Sequence, residues 1–99
     1  MAYEGASLDA NLAAAAGHDP ELVRELRAAF IESAERQVDL LSRARCDGNW
    51  QVAAMRLKGL AASFHADGLC LLADEALDAA PGDPAVIRKL RQMLADLSL

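Results

Sequence analysis

Residues 50–64 read Trp50-Gln51-Val52-Ala53-Ala54-Met55-Arg56-Leu57-Lys58-Gly59-Leu60-Ala61-Ala62-Ser63-Phe64. At about 100° per residue, Trp50, Ala53, Leu57, Ala61 and Phe64 fall on one apolar stripe, the signature of a helix that buries one side. Met55 lies about 160° from Leu57 on the same wheel, so it faces away from the stripe. A thioether on the outward side, beside Arg56, Lys58 and a mid-helix glycine, is the feature to be explained.

The segments around this stretch carry the same helical period and clear stop and start signals. Upstream, Asp19-Pro20-Glu21 combines a capping carboxylate, a proline suited to the first helical position and an acid favoured by the helix dipole. From there Val23, Leu26, Phe30, Ala34, Val38, Leu41 and Ala44 step by three and four, which predicts a long helix ending at Asp47-Gly48. Asn49 or Asp47 is the expected cap of the next helix, which runs to about Phe64 or His65. Ahead of the long helix, Leu8, Leu12 and Ala15 predict a short one, capped by Ser7 or Asp9 and closed by Gly17.

Downstream, Ala66-Asp67-Gly68 reads as a turn, followed by a helix with Leu69, Leu72, Ala73 and Ala76 inward and Leu71 and Leu77 widening that face. Pro81-Gly82-Asp83-Pro84 then stops one helix and starts the last, which presents Val86, Ile87, Leu90, Met93, Leu94 and Leu97. Short connections favour antiparallel neighbours, so the expectation is an all-α fold. It is an up-down-up-down four-helix bundle with a short extra N-terminal helix, and residues 1–99 form a single domain.

Composition agrees with helices and narrows the function. The chain is 54% apolar but only 4% aromatic, rich in alanine rather than in β-branched residues. A net charge of −5 without any basic cluster argues against nucleic acid. No apolar run approaches a membrane span, and Met1-Ala-Tyr-Glu-Gly-Ala-Ser-Leu-Asp-Ala10 lacks the basic and apolar regions of a signal peptide, so the expected location is cytoplasmic. Cys46 and Cys70 lack metal or redox spacing and are expected to pack as ordinary helix residues. No catalytic set, cofactor motif or metal site is present in the pattern, and the acidic pairs Glu32 with Glu35 and Asp74 with Glu75 read as solvated charge. The chain is not expected to be an enzyme.

The outward face of the third helix is then Met55, Lys58, Gly59 and Ala62, at i, i+3, i+4 and i+7, with Arg56 at its edge. Glycine inside a helix costs about 1 kcal/mol relative to alanine, so Gly59 implies close approach of something to the backbone, either a neighbouring helix or a partner.

Ala54-Met55-Arg56-Leu57-Lys58-Gly59-Leu60-Ala61 resembles the A-H-x-L-K-G-[SA]-A signature of histidine-containing phosphotransfer (HPt) domains, which pass phosphate between receiver domains in two-component phosphorelays. The likeness extends to Asp47 and Trp50 ahead of the signature and to Phe64-His65-Ala66 with Leu69, Leu72, Ala73 and Glu75 behind it, where His65 stands in place of the usual glycine. Leu26, Phe30 and Glu32 resemble the family's L-x-x-x-F-x-E stretch, so the likeness covers about 80 residues from Asp19 onward. The resemblance implies a lysine near the phosphate, matched by Lys58, and a glycine that leaves room for receiver loops, matched by Gly59. The phosphorylated histidine is replaced by Met55, which has no nitrogen to accept a phosphoryl group. Leu60 also departs from the usual small residue, and with Met55 is expected to make the face more apolar.

The leading expectation is therefore a pseudo-HPt domain that docks a response-regulator receiver or a histidine kinase through Met55, Arg56, Lys58, Gly59 and Ala62 without carrying phosphate. Two alternatives stand beside it. Phosphotransfer through another histidine would fall to His65, near the end of the third helix, since His18 reads as a loop residue. A scaffold without a signalling role would use the same apolar face to form a homodimer.

Overall fold

The computed structural model describes residues 4–98, with side chains from Leu8 to Ser98; Met1 to Tyr3, part of the stretch read for a leader, lie outside the described residues. Those residues form five α-helices and no strand: α1 Glu4–Ala15, α2 Pro20–Arg43, α3 Asp47–Ser63, α4 Asp67–Asp78 and α5 Pro84–Leu97. The all-helical reading holds.

Local chemistry explains most boundaries. The Asp19 carboxylate accepts the Glu21 and Leu22 N–H groups at 3.0 and 3.4 Å, and Pro20 opens α2. Asp83 accepts the Ala85 N–H at 2.9 Å ahead of Pro84 in the same manner. Other boundaries differ from the sequence reading. α2 ends at Arg43, because Ala44 turns extended, and Asp47-Gly48 belongs to the first turn of α3 rather than breaking α2. Cys46 holds the N-cap position of α3 without a side-chain bond, so neither Asp47 nor Asn49 is the cap. An aspartate is favoured both at a cap and in the first turn, where it meets the dipole, so its identity did not separate the two positions. α1 begins at Glu4 and places Ser7 and Asp9 inside the helix, where neither caps it.

The turn between α3 and α4 falls on Phe64, His65 and Ala66, two residues earlier than Ala66-Asp67-Gly68. Ala66 N–H bonds to the Ala61 carbonyl at 2.8 Å and His65 N–H to the Ala62 carbonyl at 3.2 Å, the paired closure of a Schellman cap. Such a cap needs a left-handed residue after the helix, and His65 supplies it at φ 55°.

α2 packs on α3, α3 on α4, α4 on α5 and α5 back on α2, a closed ring of helices, while α1 lies across α2 and α5. The 24 residues of α2 reach about 36 Å, most of the 42 Å length of the molecule. Alanines let the helices approach: Ala34, Ala53, Ala54, Ala61, Ala73 and Ala76 are all buried. Phe30 and Phe64 meet at a ring separation of 4.7 Å between α2 and the end of α3. Trp50 is buried and donates its indole N–H to the Ala76 carbonyl at 2.7 Å, joining the first turn of α3 to the end of α4. Arg27 donates to the Asp9 carboxylate and to the Leu97 carbonyl, tying α1, α2 and α5 together.

Two expectations about packing fail. Leu71 is 70% exposed and does not widen the inner face of α4, whereas Leu77 is half-buried. Cys46 is exposed, and only Cys70 packs against the core; both thiols are free.

Candidate docking face

The α3 stripe is inward as read, with Trp50, Ala53, Leu57 and Ala61 buried and Phe64 half-buried; Ala54, about 60° from Leu57, is buried with them. That leaves Met55 outward, 56% exposed, with Arg56, Gly59 and Ala62 exposed around it. Arg56 forms no ion pair among the described residues.

Gly59 resolves one alternative. A Cβ built at Gly59 meets nothing within 4 Å, so no neighbouring helix requires the glycine. Its backbone is α-helical and its carbonyl accepts the Ser63 hydroxyl at 2.9 Å, so no left-handed conformation requires it either. Among the described residues the glycine has no conformational or packing cause.

Lys58 stands at the margin of the face instead of its centre. Its ammonium is 2.7 Å from the Asp74 carboxylate of α4 and the side chain is half-exposed. The hydrogen bond to Asp74, then its negative charge, raises the Lys58 ammonium above the ordinary lysine value. Leu60 does not join the face: it is half-buried against the core, consistent with its position only about 60° from Leu57.

His65 lies beyond the last residue of α3, exposed, on a backbone turn that leaves the helix, so it shares no helical face with Met55. His18 is likewise exposed in a turn, at φ 63°. No group of three or more His, Cys, Asp or Glu side chains is placed to hold a metal ion among the described residues. No described helix is long and apolar enough to cross a membrane.

Sequence reading passed over Val52 and Leu40. Val52, one turn before Met55, is 49% exposed, and Leu40 on α2 is 44% exposed. Both are off their helices' inward stripes, so a wheel drawn for apolar residues outside the core would have found them.

What the surface offers is a helical face with an exposed thioether, an unobstructed glycine backbone and a guanidinium at its edge. Met55, Arg56, Gly59 and Ala62 bring no imidazole, thiol or hydroxyl to it. No family model matches the chain, and neither a curated protein nor a solved structure matches it.

Proposed function

We propose that this chain is a pseudo-HPt domain, an up-down-up-down four-helix bundle with α1 as the additional N-terminal helix. It docks a receiver domain or a histidine kinase through Met55, Arg56, Gly59 and Ala62, with Lys58 at the margin, and carries no phosphate. The observation that supports this reading is Gly59: a helix-interior glycine with open space beyond it, next to an exposed methionine. A glycine that costs helix stability and relieves no internal contact is accounted for by a partner whose backbone approaches α3 at that point. The resemblance described above names the class of partner.

Met55 fixes the chemical consequence. Phosphate transfer from an aspartyl phosphate needs an imidazole nitrogen to form the P–N bond as the P–O bond to the carboxylate breaks, and a thioether offers no such nitrogen. Binding therefore acts by occupancy, keeping the partner's reactive surface covered.

Receiver or kinase binding is tested with Met55→Asp and Gly59→Arg, measured by calorimetry against folded protein. Both positions are exposed, so the helical circular dichroism stays at the wild-type level while affinity falls by about tenfold or more. Unchanged affinity in both variants, or self-association abolished by both without any receiver or kinase binding, contradicts the proposal.

A further inference from the structure

Beside the Met55 and Gly59 face, the end of α2 and the beginning of α3 leave an open groove of about 410 Å³. Leu40, Ala44, Val52 and Ala53 supply its apolar surface, and Arg43, Asn49 and Arg56 the rest of its lining. The exposed leucine and valine come from different helices and meet in this one groove, so they form a single patch rather than two scattered residues.

The charge around the groove is opposite to that of the chain. The groove's lining holds Arg43 and Arg56 and no acid; with Asp39, which pairs with Arg43, the local charge is +1 on a chain of −5. Arg43 pairs with Asp39 and Lys58 with Asp74, while Arg45 and Arg56 have no ion pair among the described residues. An apolar groove with two arginines and no acid in its lining complements an apolar stripe flanked by carboxylates.

We infer that this groove receives a short acidic amphipathic helix of a partner protein. The lining runs along α3 from Asn49 through Val52 to Arg56, two helical turns or about 10 Å, which matches apolar anchors at i, i+3 or i+4, and i+7 of a docked helix. The inference goes beyond the phosphorelay reading and does not depend on it: Arg56 borders both surfaces, but Leu40, Arg43, Ala44, Val52 and Ala53 belong to the groove alone.

The test uses the full chain and a fluorescein-labelled helical peptide of about 14 residues, leucines on one face and glutamates beside them, with a control in which lysines replace the glutamates. The acidic peptide binds, binds more weakly as salt rises, and shifts backbone amide resonances between residues 40 and 56; the lysine peptide binds at least about tenfold more weakly. Val52→Glu and Leu40→Glu, on separate helices and both at half-exposed positions, each weaken binding by about tenfold. Gly59→Arg leaves it within about twofold, which separates this groove from the face of the preceding proposal. The inference is overturned if the acidic peptide does not bind, if both peptides bind equally, if the shifts lie elsewhere, or if Gly59→Arg abolishes binding. It is also overturned if the chain dimerises and Val52→Glu returns it to monomer.

Discussion

Two single residues carry backbone features whose energetic consequences are opposite to their neighbours' needs. Gly59 sits in the middle of α3 with open space where a Cβ would stand. Gly59→Ala is predicted to stabilise the isolated domain by about 1 kcal/mol, measured by urea unfolding, because alanine restores helix propensity without a clash. A destabilised variant would mean that the glycine serves this chain's own packing. His65 presents the converse case, a side chain where glycine is preferred, in the left-handed position that completes the α3 cap. His65→Gly is predicted to stabilise by about 1 kcal/mol in the same assay, and an equal loss would show that the imidazole makes a compensating contact. The left-handed φ of His65 is one that glycine adopts more readily than histidine, so the constraint at this point is backbone conformation.

At the level of the helix, the α3–α4 pair is joined by two contacts of different kinds. The buried Trp50 to Ala76 bond acts at one end, and the half-exposed Lys58 to Asp74 pair acts further along. The raised pKa of Lys58 gives the second contact a direction in pH. A lysine whose pKa is higher in the folded than in the unfolded chain stabilises the fold below its unfolded value, and that contribution is lost as pH rises through the folded value. The stability difference between wild type and Lys58→Met should therefore hold up to about pH 10, near the unfolded value, and shrink over the alkaline window above it, measured by denaturant titration at each pH. A gap that is constant over that window would mean that the pair does not form in solution. Helix existence and inward faces were legible in the sequence because apolar spacing and capping residues such as Asp19 and Asp83 act locally. The ends of α2 and the start of α3 were not, since Asp47-Gly48 suits a break, a cap and a first turn alike. Leu71 misled for another reason: it is apolar and beside the stripe, but nothing in the sequence specifies how far around α4 its neighbours reach.

Across the whole molecule, a ring of four helices holds α3 between α2 and α4, so its buried stripe is committed and only its outward face is available. That arrangement turns a sequence oddity, Met55, into a position on a surface. The face itself was legible: Met55, Arg56, Gly59 and Ala62 are exposed where the helical period put them. The engagement of Lys58 with Asp74 and the return of Leu60 to the core were not, because both depend on which helix lies alongside. The proposed loss of phosphate chemistry rests on one side chain, and restoring it is the most direct test. A panel of phosphorylated receiver domains is mixed with wild type and with Met55→His, and acid-labile label is scored together with complex formation. Wild type is predicted to bind a receiver and stay unlabelled, while Met55→His gains label from the same receiver. Label on the wild type, or a Met55→His protein that neither binds nor labels, would contradict the pseudo-HPt reading.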